Sequence, residues 1–241
     1  MLSSTVSQIR GNTLLAAEAA GALAAAAAAR ASEHRAADVR VRPSVTQLKD
    51  MIARAKHAAD AIQVSLTSKP GSVGCSRAYR LPSYSASLTR ISLAVSFDNA
   101  VRDGTLLSLT PEEDSSYMKL YVEDARFKLK WSLGEDEGFL EHKEALEATH
   151  DDADHTSYRI EINRVWNVVT LSLSRSGHPP SSITNSTRGG VTLGRARAWL
   201  GAPGAPLPAC AHALYYDDRR VGLWNFMEQP AEAQCMGCTQ R

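Results

Sequence analysis

Ile91-Ser92-Leu93-Ala94-Val95-Ser96-Phe97 decides the fold. Large apolar side chains occupy every second position and small ones the positions between, the pattern of a strand with one face buried and the other wet. The alternation recurs downstream. Met118, Leu120 and Val122 alternate with Lys119, Tyr121 and Glu123, and Phe127, Leu129, Trp131 and Leu133 with Lys128, Lys130 and Ser132. Tyr158, Ile160 and Ile162 alternate with Arg159 and Glu161, and Val169, Leu171 and Leu173 follow suit. Turn signals such as Asp103-Gly104 and Asp124-Ala125 separate the runs. Short strands at near-regular spacing, with helices scarce between them, predict a mainly β chain of antiparallel sheets packed as a sandwich and exclude parallel β-α-β winding. Only Leu140 to Ala148 has the composition of a short helix or a charged surface loop.

Before about Ser68 the composition is different. Residues 1–66 are rich in alanine and hold no aromatic residue and no cysteine, one proline and two glycines, whereas all four cysteines come later. Here Val45, Leu48, Ile52, Ala55, Ala59, Ile62 and Leu66 alternate steps of three and four, the heptad seam of a coiled coil. A second phase runs upstream through Leu2, Val6, Ile9, Thr13, Ala16, Ala20, Leu23 and Ala27, then places Arg30 and His34 on the seam. Pro43 is expected to interrupt it, because proline lacks the amide a helix interior needs. A lone amphipathic helix is marginal in water, so this one is expected to pair with helices of other chains. The predicted organisation is an α-helical coiled-coil segment over 1–66 and a β-sandwich domain over 67–241, with the boundary near Lys69-Pro70-Gly71.

A chain of 241 residues with 44% apolar content supports one ordinary domain plus an appendage. Twenty-seven basic against 26 acidic residues leave no uniform positive field of the kind that gathers nucleic acid or a membrane surface. The most hydrophobic stretch, Thr13 to Arg30, is mostly alanine and carries Glu18, so it reads neither as a membrane span nor as a cleaved signal.

From about Val45 to Gln240 the chain resembles the end of the coiled-coil domain and the first laminin G-like domain of a laminin α chain. The pieces that carry the resemblance come in the same order: Gln47-Leu48-Lys49-Asp50-Met51-Ile52-Ala53-Arg54-Ala55, Ile62-Gln63-Val64-Ser65, Cys75-Ser76-Arg77-Ala78-Tyr79, Asp103-Gly104-Thr105-Leu106-Leu107 and Trp131-Ser132-Leu133-Gly134. Gly222-Leu223-Trp224-Asn225-Phe226, followed by Cys235-Met236-Gly237-Cys238, is the most specific piece. The resemblance implies a concanavalin-like jelly roll and a secreted extracellular-matrix adhesion protein of basement membranes. Its coil would pair with laminin β and γ chains, and its G-like domain would face integrins and other cell-surface receptors, with the isolated chain binding integrin weakly. A secreted chain of this kind is expected to be a piece of a longer protein.

The family pattern is not followed everywhere. Asp154-His155-Thr156-Ser157-Tyr158-Arg159 carries a smaller aromatic anchor than usual, Gly201-Ala202 replaces a glycine pair, and Ala209 stands where a glycine is common. The acidic residues that bind calcium in some G-like modules correspond to Ser116 and the neighbourhood of Val191 to Leu193. A serine and an apolar turn lack the carboxylates that a hard cation needs, so neither metal nor cofactor is expected.

Four cysteines in the sandwich suggest two disulfides in an oxidising compartment, and sequence alone allows three pairings. The resemblance favours Cys210 bonded to Cys235 or Cys238, with Cys75 taking the other. A redox or zinc reading of Cys235-x-x-Cys238 competes, but redox pairs want a helix N-terminus after a strand, and zinc wants a second ligand pair. His142, His150, Asp151, Asp152, Asp154 and His155 form a polar run whose plainer reading is a solvated loop rather than a metal cluster. No nucleophile, glycine-rich phosphate loop or carboxylate pair stands in a recognisable context, so no catalysis is expected. Arg188, Arg195 and Arg197 make a small basic run suited to sulfated glycans, and Asn185-Ser186-Thr187 is a glycosylation acceptor pattern. The rival reading is a glycan-binding lectin module of the same sandwich type.

Overall fold

The computed structural model describes residues 2–69, 75–81, 88–97, 103–111, 115–133, 136–146, 157–188, 196–202, 207–229 and 235–238, and within the helix the side chains of 18–32 and 41–60. The chain divides into two compact units, Met1–His57 and Ala58–Arg241.

The first unit lies within one helix, α1 (Leu2–Asp60), which continues through Pro43. The expected interruption does not occur. Proline removes a single amide bond at a cost of about 3 kcal/mol, and helix-favouring alanines and long side chains on either side carry the helix past it. Seam residues Val45, Leu48 and Ile52 are 42%, 56% and 58% exposed. Ala55 is exposed and Ala59 half-buried. The predicted seam ends too late, however, because the helix stops at Asp60 and leaves Ile62 and Leu66 outside it. Leu66 instead sits in the sandwich core, following strand β1 (Val64–Ser65). A large apolar residue at the right spacing is ambiguous between a seam and a core, and burial in the sandwich wins.

The second unit is a sandwich of two antiparallel sheets. The first orders β1, β12 (Ala209–Tyr216), β3 (Leu88–Phe97), β8 (Ser157–Val165), β9 (Val168–Arg175) and β10 (Ser181–Ser186), with β13 (Arg219–Val221) also on β12. The second orders β2 (Arg77–Arg80), β11 (Ala196–Leu200), β4 (Gly104–Pro111), β5 (Tyr117–Glu123), β6 (Arg126–Ser132) and β7 (Glu137–Ala145). Alternation places Ile91, Leu93, Val95 and Phe97 inward from one sheet and Leu107, Leu109, Leu120, Leu129 and Trp131 inward from the other. Phe97, Phe127 and Tyr158 meet with ring centroids 5.5 to 5.9 Å apart, tilted or edge-on, which favours the ring quadrupoles. Asp124 and Ala125 turn the β5–β6 hairpin with positive φ of 53° and 55°, a two-residue turn whose twist matches the strands.

Leu140 to Ala145, expected as a helix or loop, belongs to strand β7. Its inward positions are Gly138, Leu140 and His142, so glycine and histidine hid the period of two. Gly138 stands directly across from Trp131, and a Cβ there would fall 2.1 Å from the buried indole. Gly201 has φ of +77°, and a Cβ there would lie 2.1 Å from the carbonyl oxygen of Cys75. Each position therefore needs glycine, one for space and the other for both space and backbone conformation.

Candidate interaction surfaces

The C-terminal segment joins the edges of both sheets. Ala78 N–H on edge strand β2 donates to Glu228 O at 2.9 Å, and Met227 N–H donates back to Ala78 O at 2.8 Å. Further along, Ser68 and Cys235 form an antiparallel bridge, and Met236 N–H donates to Thr67 O just past β1. Two disulfides fix this strap: Cys75 to Cys235 and Cys210 to Cys238. Of the three pairings open to the sequence, this is one of the two that the resemblance implied. With each of Cys235 and Cys238 bonded to a distant partner, the pair forms neither a vicinal redox bridge nor a zinc half-site.

The motif Gly222-Leu223-Trp224-Asn225-Phe226 starts the strap. Leu223 enters the core, and its carbonyl accepts the Tyr79 hydroxyl at 3.1 Å. Burial pushes the Tyr79 phenol up to about 12, the nearby Arg77 charge pulling the other way. Arg77 lies over the Phe226 ring at 5.7 Å and donates to Ser65 O at 3.0 Å. Trp224, Phe226 and Met227 remain 54%, 43% and 46% exposed.

Beside the strap an open cleft of about 630 Å³ runs between the sheet edges, lined by Arg80 and Leu81 at the end of β2, Arg219 to Val221 of β13, and Asn225 to Met227. Arg220 is committed, pairing with Asp60 at 3.2 Å, donating to the Asp60 carbonyl and to Tyr215 Oη, and lying over the Tyr215 ring. Arg80 and Arg219 meet no carboxylate among the described residues. Arg80 stands directly across from Arg197. Like charges directly opposite one another in a sheet oppose pairing.

The three arginines of the sequence run do not form one described patch. Arg197 is on β11, its guanidinium 3.5 Å from Glu228. Arg188 follows β10, its backbone N–H donating to Asp136. Arg195 lies outside the described residues, as do Gly134, His150 to Thr156 and Val191 to Leu193. Asn185 is exposed on edge strand β10; its amide nitrogen donates to Phe139 O at 3.0 Å across the other open side of the sandwich.

Of the polar run, His142 is described, and it is buried. Glu144 N–H donates to its Nδ1 and its Nε2 lies 3.1 Å from Ser181 Oγ; the Ser181 hydroxyl in turn donates to the Glu144 carboxylate. These contacts tie β7 to β10.

On the outer face of the six-stranded sheet, Lys128 sits within reach of Glu123, Asp124 and Glu141, and hydrogen bonding to Glu123 chiefly raises its pKa. Ser116, expected from the resemblance to replace a calcium ligand, is half-buried, and Val191 to Leu193 lie outside the described residues. No helix among the described residues is long and apolar enough to cross a membrane.

No family model matches the sequence. Solved structures do resemble the fold. The LG1-3 region of the laminin alpha2 chain matches at 21% identity and a TM-score of 0.55, over 70% of this chain and 34% of that one. Domains LG4-5 of the mouse laminin alpha1 chain match at 13% identity and a TM-score of 0.52, over 71% of this chain and 48% of that one. The chain thus spans between a third and a half of the structures it resembles. Identities this low carry the architecture alone, and that architecture is a laminin G-like β-sandwich with two disulfides.

Proposed function

We propose that the chain is a secreted, non-enzymatic adhesion module: a laminin α-chain segment whose helix assembles with β and γ chains and whose sandwich is presented to integrins and other cell-surface receptors in the extracellular matrix. The observation that carries this reading is the exposed seam of Val45, Leu48 and Ile52 on a long helix preceding a laminin G-like sandwich. A helix with such an apolar stripe gains its stability from partner helices rather than from propensity. The disulfide-fixed strap suits an oxidising compartment.

The test is to mix the chain with laminin β and γ coil segments and follow helicity by circular dichroism against the sum of the separate spectra. An increase that Leu48→Ala with Ile52→Ala removes is expected, and spectra that simply add would refute the assembly role. For the lectin alternative, a glycan array separates the two: selective binding to neutral oligosaccharides would favour a lectin.

A further inference from the structure

We propose that the cleft between β2 and β13 is a docking site for an extended acidic peptide segment of a partner protein. It deepens the adhesion reading, on which it rests for choosing a protein as partner. Three features of the cleft point to this chemistry.

The first is charge. Arg80 and Arg219 line the cleft without a carboxylate partner among the described residues, and Arg80 faces Arg197 across the strand pair. Glu228 lies against Arg197, and no carboxylate among the described residues pairs with Arg80. An arrangement that costs sheet stability in the free protein is offset when a carboxylate binds.

The second is the apolar part of the lining. Leu81, Val221, Phe226 and Met227 offer a soft surface to an aliphatic or aromatic side chain, with Phe226 and Met227 nearly half exposed. Among the described residues the lining has no Asp or Glu to accept from sugar hydroxyls, and Asn225 supplies its one neutral side-chain amide. Carboxylates next to apolar side chains match this mixture better than a saccharide does.

The third is backbone. β13 pairs with β12 on one side, and its other edge joins no strand among the described residues. The free edge of Arg219 to Val221 can accept an extended segment by strand addition, which gives affinity through main-chain bonds and leaves alternate side chains to reach the arginines and the apolar floor. The edge of β2 is already taken by Met227 and Glu228, so the register of an incoming segment is set by β13.

The experiment uses the full chain and a fluorescein-labelled decapeptide alternating leucine and glutamate, read by fluorescence anisotropy at physiological salt. The expected result is saturable binding that is at least tenfold weaker for the leucine–glutamine peptide. Arg80→Ala and Arg219→Ala should each weaken it about three- to tenfold. Arg188→Ala, outside the cleft, should leave it unchanged. The double charge reversal Arg80→Glu with Arg219→Glu should bind a leucine–lysine peptide instead, a gain that a misfolded variant would not show. Equal affinity for the glutamate and glutamine peptides, or full affinity in the double alanine variant, would overturn the proposal. So would a heparin hexasaccharide that needs both arginines while the acidic peptide does not bind. If the peptide fails while the coil still assembles with β and γ segments, the docking site is wrong and the adhesion reading stands; failure of assembly sinks that reading whatever the cleft does.

Discussion

Removing the two disulfides one at a time should destabilise the sandwich unequally, and in a predictable order. Cys75–Cys235 closes a loop of 160 residues, whereas Cys210–Cys238 closes one of 28. In the chain-entropy model the longer loop constrains the unfolded chain by about 5 kcal/mol and the shorter by about 3.5 kcal/mol. The loops share the segment from 210 to 235, so each figure is an upper value while the other bond remains. Set against a typical domain stability of roughly 5–15 kcal/mol, either loss shifts the unfolding midpoint visibly. The assay is urea denaturation of the Cys75→Ser/Cys235→Ser and Cys210→Ser/Cys238→Ser pairs beside the parent, followed by tryptophan fluorescence. The reasoning predicts the lower midpoint for the Cys75/Cys235 pair. A larger loss on removing Cys210–Cys238 would refute it, and would place the stabilisation in native contacts around β12 rather than in the unfolded ensemble.

Gly138→Ala should cost about 1–3 kcal/mol or more, because the new methyl meets the buried indole of Trp131, and a red-shifted Trp emission would accompany the lower midpoint. Arg80→Thr should raise the midpoint slightly, by about 0.2–1 kcal/mol, by relieving the charge facing Arg197. Tyr79 titrates higher in the folded protein than in the unfolded chain, so its contribution is whole below pH 10 and is lost as pH rises to about 12; urea midpoints should fall across that window by an increment of order 2 kcal/mol that Tyr79→Phe abolishes. Expressed in secreting cells, the chain should carry an N-glycan at Asn185, seen as a mass that glycosidase treatment and Asn185→Gln both remove.

Strands were legible where both of their faces had work to do. β3, β5, β6, β8 and β9 carry large apolar side chains inward at every second position and polar ones outward, so period alone identified them. The edges lacked that signature. β10 reads as serine, threonine and asparagine around a single Ile183; β2 spans two arginines; and β7 turns glycine and histidine inward. An edge strand packs on fewer neighbours, so its sequence is less constrained by burial. The cleft was illegible for a related reason. Arg80 and Arg219 lie far apart in the chain and line one cleft because β2 and β13 border the same open side, whereas of the run Arg188, Arg195 and Arg197 the two described members are divided between β11 and the end of β10. The spacing of Leu66 fitted a seam as well as a core, and only the end of the helix at Asp60 separates the two.

The edges that escaped the pattern are also where interaction has to be controlled. An uncovered strand edge offers amides and carbonyls to any passing strand, including that of another copy. Here the edge of β2 is covered by the chain's own Met227 and Glu228, and the open side beside β10 is spanned by Asn185 and by the Ser181–His142 contact. No strand among the described residues covers the other edge of β13, which carries Arg219 and lines the same cleft as Arg80. Two copies meeting edge to edge would bring these arginines together and repel, whereas an acidic segment would be drawn in. On this electrostatic argument the double alanine variant should lose acidic-peptide binding and gain a concentration-dependent increase in mass by sedimentation. A variant that lost the first property without gaining the second would leave the repulsion between copies without support.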